Sequence, residues 1–96
     1  MEVVLFQFYS AAQAPAAMQL FVNGDRGRGG AVSTFAAIPG AVEIDFGLEP
    51  KTKYGTYDHD VDATKGNRMV GIWYSAVAKG PVPQLSSIAL NQYNAL

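Results

Sequence analysis

The segment of residues 42–54 constrains the fold of this chain more than any other. Four of its side chains stand at every second position, namely Leu48, Pro50, Thr52 and Tyr54. Because alternate side chains of an extended backbone point to the same side, these four share a face. The proline fixes the dihedral at which the chain enters, while the leucine and the tyrosine can close the end of an apolar core. This pattern predicts a crossing between two packed β-sheets.

A turn sequence, Asp-Ala-Thr-Lys-Gly-Asn, follows at residues 62–67. It joins the two longest extended candidates, residues 53–63 and 68–78. Two such runs around a short glycine-containing loop predict an antiparallel hairpin with Gly66 and Asn67 in its turn.

The remaining apolar runs predict three strands and one helix. Residues 2–9 predict a strand with two apolar faces, which must be central or covered on its outer side. Residues 14–24, with Pro15 near the start, favour a short helix over a strand at 18–22. Residues 41–46 alternate and predict a half-buried strand, and residues 85–90 predict a short strand after a proline-rich break. Residues 31–39 are expected to be irregular or weakly extended.

The composition describes one small domain with few charges. Of the 96 residues, 16% are charged and 49% are apolar, and the net charge is −1. This charge provides no field that attracts nucleic acid or anionic membranes, so we expect neither as a partner. The chain contains no cysteine, which excludes disulfides and thiolate metal sites. The N-terminal apolar run is too short for a signal or a membrane span, so we expect a soluble protein that is not exported.

Three aspartates, Asp58, Asp60 and Asp62, alternate along the predicted hairpin. Hard cations prefer several oxygen ligands, so a calcium or magnesium site is one interpretation. Carboxylates two residues apart on a strand are separated by about 6.5–7 Å, which is too far for one ion unless a third element contributes. We therefore expect a solvated acidic face, with the metal site as the alternative.

The register of this strand raises a problem for the predicted core. Strict alternation from an inward Tyr54 would bury all three aspartates, and unpaired buried carboxylates are too costly. We therefore predict a β-bulge near residues 55–56, which turns Tyr57, His59, Val61 and Ala63 inward. A basic partner surface over the aspartates is the alternative.

The sequence contains no catalytic constellation. His59 is the only histidine, and no serine lies in an elbow motif. We therefore expect neither an enzyme nor a cofactor. Trp73 is expected in the core, with an aromatic platform for sugar or protein as the alternative, and Tyr93 is expected to contact a partner.

In order and spacing, these pieces resemble the fibronectin type III-like domains of bacteriophage structural proteins. An Ala-Pro helical segment that ends near glycine is matched at residues 14–24, and a Leu-x-Pro-x-Thr-x-Tyr corner is matched at residues 48–54. An Asp-Ala-x-Gly-Asn turn is matched at residues 62–67, with Lys65 as one extra residue. The resemblance implies a mainly β fold. Residues 1–80 would form an incomplete immunoglobulin-like antiparallel sandwich with one short helix, and residues 81–96 would form an extension.

The implied sandwich lacks its first two strands, so an edge stays open beside residues 42–46. Either residues 84–96 fill this edge or a neighbouring chain supplies a strand. We expect a homo-oligomer that also binds a larger shell, such as a major capsid or tail protein. The expected contacts are Val3, Leu5, Leu85, Ile88, Tyr93 and Leu96.

The function implied by the resemblance is that of a structural virion protein. It would be a capsid decoration, cement or tail-associated subunit of a virion that is assembled in the host cytoplasm. The alternative is a module that binds carbohydrate or calcium on a virion or cell surface.

Overall fold

The computed structural model describes residues 1–49 and 55–96, and it shows one antiparallel sheet of five strands with two helices. The elements in chain order are β1 (Glu2–Gln7), α1 (Gln13–Gly27), β2 (Ala31–Thr34), β3 (Val42–Glu49), β4 (Thr56–Lys65), β5 (Arg68–Ala76) and α2 (Leu85–Asn94). The strand order is β1-β5-β4-β3-β2, so β1 and β2 are the edges. The expectation of a mainly β chain is confirmed, and so is the predicted helix, which is longer than residues 14–24.

The two helices cover opposite faces of the sheet. Because side chains alternate along β4, Val61 and Ala63 point to one face and Asp60 and Asp62 to the other. The first pair packs in a buried cluster with Leu85 of α2. The second pair lines a cavity together with side chains of α1. The described residues therefore form three layers with the sheet in the middle, and the second sheet of the predicted sandwich stays a prediction.

The predicted hairpin of β4 and β5 is confirmed. Lys65 pairs with Arg68, and Gly66 between them has a φ of 60°, as at the first position of a type II′ turn. Asn67 then bonds the end of β1 in both directions: its Nδ2 donates to the Phe8 carbonyl at 2.8 Å, and its own carbonyl accepts the Phe8 N–H at 2.8 Å. The turn thus also fixes where β1 ends.

The predicted strand at residues 85–90 is wrong, because this segment lies within α2. Leu85, Ile88 and Ala89 follow a spacing of three and four residues, which places them on one side of a helix. Leu85 and Ala89 are buried in the same cluster as the sheet. The segment therefore fills no sheet edge. The edge predicted to be open beside residues 42–46 is occupied by β2, which pairs with β3.

A β-bulge lies on β3, the strand that neighbours β4. The register shifts between Asp45 and Gly47, where Gly47 has a φ of 69° and donates its N–H to Asp45 Oδ1 at 2.8 Å. The bulge predicted at residues 55–56 is wrong in its position, because the pairing of β4 is regular from Thr56 to Lys65 and the extra residue lies on β3. The inward orientation predicted for His59, Val61 and Ala63 is confirmed, since all three are buried on the side of α2.

The predicted corner between two sheets is described only at its first residue. Leu48 is 54% exposed, so it does not close a core within its own chain, and this part of the prediction is wrong. The predictions for Pro50, Thr52 and Tyr54 fall outside the described residues.

Gly30 stands where α1 leads into β2, with no room for a side chain. A Cβ atom there would clash with Ile44 Cγ2 and lie 2.9 Å from the Asp25 carbonyl oxygen. The Gly30 N–H donates to this same carbonyl at 2.9 Å. The glycine therefore lets the end of α1 approach β3, and it holds Asp25 above the sheet.

We expect Gly30→Ala to lower the free energy of unfolding by about 1–3 kcal/mol, because the added methyl group overpacks this junction. Gly24→Ala is the matched control. It lies inside α1 with open space around its Cβ position, so it should raise the stability by about 0.5–1 kcal/mol. Urea unfolding measures both, and equal effects would contradict the close approach at Gly30.

We also expect Leu85→Ala to destabilise the protein by about 2–5 kcal/mol, because it leaves a cavity under α2. The exposed neighbour Ser86 provides the control, since Ser86→Ala should change stability by less than about 0.5 kcal/mol. If thermal unfolding showed no loss for Leu85→Ala, α2 would not be part of the core.

Candidate functional site

Three carboxylates meet between α1 and the sheet. Asp60 and Asp62 come from β4, and Asp25 comes from the last turns of α1. One oxygen from each residue lies within 4.8 Å of the others. Asp25 and Asp62 are only 5% and 2% exposed. We name these three residues the aspartate cluster.

The fold brings these residues together for local reasons. Val22 and Asp25 are three residues apart and both buried, so they share the side of α1 that faces the sheet. Opposite Asp62 in the register stands Gly71, where a Cβ atom would approach Asp62 Oδ1 to 3.2 Å. The missing side chain at Gly71 leaves space for the carboxylate.

The electrostatic environment of the cluster is unfavourable for charge. Burial, followed by the charge of Asp62, raises the pKa of Asp60 from 3.8 to about 8. Burial, followed by the charge of Asp25, raises the pKa of Asp62 to about 7. A side-chain hydrogen bond between Asp60 and Asp62 raises the pKa of the first and lowers that of the second. Burial and mutual repulsion thus favour a retained proton within the Asp60–Asp62 pair at a pH where ordinary carboxyl groups are ionised.

The cluster has fewer cationic side chains nearby than it has carboxylates. The Arg28 guanidinium pairs with Asp25, and the Arg28 side chain is mostly exposed. Among the described residues, Asp62 Oδ2 is buried without any hydrogen-bond partner. A buried acceptor without a donor is expensive, so the site as it stands is incompletely satisfied.

A cavity of about 200 Å³ opens beside the cluster. Its polar part consists of the three aspartates with Glu2 and Arg28, and its apolar part includes Val4, Phe6, Phe21, Met69 and Trp73. This volume holds several water molecules at about 30 Å³ each. The cavity therefore has room for a small hydrated ion beside the carboxylates.

On the opposite face, His59 is buried beside a second cavity of about 390 Å³. Its Nδ1 lies 3.5 Å from Glu43 Oε1, and neither ring nitrogen makes a hydrogen bond with the described residues. Glu43 and Asp45 also line this cavity. Within the described residues this side of the sheet has no group of three carboxylate or histidine ligands close enough to hold a metal ion.

The three aspartates that alternate in the sequence do not all lie in the same place in the structure. Asp60 and Asp62 join the cluster, whereas Asp58 is buried apart from it and accepts a hydrogen bond from Thr56 Oγ1 at 2.9 Å. The expectation of a solvated acidic face is wrong, because α1 covers this side of β4. Asp25 was not predicted from the sequence. Only an extension of the helical period beyond Gly24 could have indicated it.

The residues predicted to contact a partner are not equally accessible. Leu5 is 60% exposed. Val3, Ile88, Tyr93 and Leu96 are half-buried against the core under α2. Leu85 is buried within its own chain, so its predicted role as a partner contact is wrong.

The two aromatic residues singled out in the sequence, Trp73 and Tyr93, are both partly accessible to solvent. Trp73 is 37% exposed and packs on Phe46 with ring centroids 5.3 Å apart, so its predicted place in the core is wrong. Tyr93 lies under the Lys65 ammonium group, 5.1 Å from ring centroid to nitrogen.

Comparisons with known proteins identify no relative. No protein-family model, no curated protein and no solved structure matches the chain. None of the helices in the described part of the chain has the length and apolar character needed to cross a membrane.

The raised pKa values predict how stability depends on pH in metal-free buffer. A carboxyl group whose pKa is higher in the folded state stabilises the fold fully below its unfolded pKa of about 3.9, and this contribution is lost as the pH rises through the folded value. We therefore expect the free energy of unfolding to fall as the pH rises from 4 to 8, because the pKa values of both Asp60 and Asp62 are raised in the folded state.

The variant Asp62→Asn separates this effect from other titrations, because it removes one charge and keeps the shape. It should be more stable than the wild type at pH 8, and the stability of the variant should depend less on pH. Urea unfolding across this range measures both, and parallel pH profiles would contradict the interpretation.

Proposed function

We propose that this protein is an assembly subunit that joins a second copy of itself through strand β1. The observation that carries the proposal is the character of this edge strand. β1 lies at the end of the sheet, and its apolar side chains border both faces. An edge strand of this kind is a template for pairing with another chain.

On the side of α1, the edge continues into an apolar surface. Phe6 lies 6.3 Å from Phe8 and 5.3 Å from Phe21, measured between ring centroids. Tyr9 and Leu20 are widely exposed and line one shallow pocket with Phe8. We name Phe6, Phe8, Tyr9, Leu20 and Phe21 the β1–α1 surface. Contiguous exposed apolar surface of this kind is typical of interaction sites.

On the side of α2, the edge is apolar as well. Leu5 is exposed and lines a small pocket with Leu96. Glu2 is the only charged residue of β1, and the strand contains no lysine or proline of the kind that keeps edge strands apart. An added strand would therefore find apolar neighbours on both faces.

The second copy is the occupant that this edge fits best. Antiparallel pairing of β1 with β1 of another copy places identical surfaces against each other around a two-fold axis. It would also bring the two β1–α1 surfaces side by side. Pairing of β1 with β2 would instead join a strand of six residues to one of four, and it would leave part of β1 unpaired.

The setting of this assembly is suggested by the resemblance to domains of bacteriophage structural proteins. In that setting the dimer would be a decoration, cement or tail-associated subunit on a larger protein shell of a virion.

We expect light scattering to give twice the chain mass of 10.2 kDa, and Leu5→Lys to reduce this to the mass of one chain. The added ammonium group would lose its water on pairing, whereas the exposed position lets the monomer keep its fold. Val77→Lys is the control, since Val77 is equally apolar and 86% exposed but lies outside β1. A wild-type protein with the mass of one chain would overturn the proposal.

A further inference from the structure

We propose that Asp25, Asp60 and Asp62 form a binding site for a divalent cation, with Ca²⁺ as the ion that fits them. This inference does not depend on the proposed assembly, because the three residues belong to one chain. It starts from two observations, the meeting of three carboxylates from two elements and the buried, unpartnered oxygen of Asp62.

The unpartnered oxygen points to a missing ligand. Asp62 is 2% exposed, and its Oδ2 atom is buried although the side chain lines the adjoining cavity. Buried polar atoms in folded proteins almost always have a partner, and an exception requires an explanation. A cation between the carboxylates would satisfy Asp62 Oδ2 and remove the repulsion within the cluster at the same time.

The donor set selects the class of cation. All three ligands are carboxylate oxygens, and the cluster contains no histidine or cysteine. Such hard oxygen ligands suit Ca²⁺ and Mg²⁺ better than Zn²⁺ or copper. The nearest protein cation, the guanidinium of Arg28, pairs with Asp25 from the exposed rim and leaves the inner carboxylates to another charge.

The spacing favours Ca²⁺ over Mg²⁺. Oxygens on opposite sides of Ca²⁺ are about 4.6–5.2 Å apart, since each bond is about 2.3–2.6 Å, whereas Mg²⁺ requires about 4.0–4.2 Å. The three oxygens lie within 4.8 Å of one another, so Ca²⁺ fits among them, and its flexible coordination tolerates unequal separations better than the strict octahedron of Mg²⁺ does. The adjoining cavity of about 200 Å³ has room for the water molecules that complete its coordination.

Trp73 provides a direct readout. It lines the same cavity and is the only tryptophan of the chain. Tb³⁺ is a luminescent substitute for Ca²⁺, and it is excited by energy transfer from a nearby indole. Ca²⁺ should then displace Tb³⁺ and quench the emission.

The experiment uses the full chain after treatment with EDTA, at pH 7.5. We expect millimolar Ca²⁺ to raise Tm, because an ion that binds only the folded state stabilises it. Mg²⁺ should raise Tm less at equal concentration. We also expect Tb³⁺ emission upon excitation of tryptophan, with loss of the emission on addition of Ca²⁺.

Three variants test whether the aspartate cluster is the binding site. Asp62→Asn should fold in EDTA and lose the Ca²⁺-dependent shift in Tm and at least tenfold in Tb³⁺ affinity. Asp45→Asn, an exposed aspartate outside the cluster, should keep both. Trp73→Phe should lose the emission but keep the shift in Tm. The proposal is overturned if Ca²⁺ leaves Tm of the wild type unchanged, or if Asp62→Asn responds to Ca²⁺ as the wild type does.

Discussion

Strand β4 has no side that faces solvent, and the rest of the structure follows from this constraint. Its odd-numbered residues from 59 to 63 are buried on the side of α2, and Asp60 and Asp62 lie on the side of α1. One face is apolar and stabilises the fold by removing hydrocarbon from water. The other face carries carboxylates, which resist burial. The two helices therefore have different roles. Helix α2 covers an apolar core, whereas α1 covers the aspartate cluster and the cavity beside it.

The burial of the aspartate cluster explains several features that would otherwise be unrelated. Gly30 lets the end of α1 come close to the sheet, Gly71 leaves space above β5, and Arg28 offsets one of the negative charges. Each of these residues accommodates a carboxylate where an apolar residue would be less costly. Natural sequences keep such costly groups mainly where they bind or react, and this is consistent with a site for a cation.

Part of this fold could be predicted from the sequence. The hairpin, the first strand and α1 were predicted because their signals are local: alternation, a Gly-Asn turn, and a proline in the first helical turn. Residues 85–90 were misassigned because a short apolar run fits a strand or a helix equally well. β2 was missed since a four-residue strand gains its stability from pairing with β3 and not from its own side chains.

The candidate site shows the same limit. The alternation of Asp60 and Asp62 was visible in the sequence, and so was the need for a third ligand from another element. That element could not be identified, because Asp25 follows the glycine at which the helix was expected to end. The contact between α1 and β4 is set by tertiary packing, which the pattern of a single segment does not contain.

The position of β1 has a consequence for the order of folding. β2, β3, β4 and β5 follow one another along the chain and can pair through short loops, whereas β1 must pair Gln7 with Arg68 near the far end of the hairpin. Contacts so distant in sequence form late, because closing a long loop costs entropy before any pairing rewards it. Until β1 arrives, β5 is itself an open edge. During synthesis at high local concentration, β1 of one chain therefore competes with β1 of its neighbour for the same β5, and exchange of this strand between copies is the misfolding route that the topology favours.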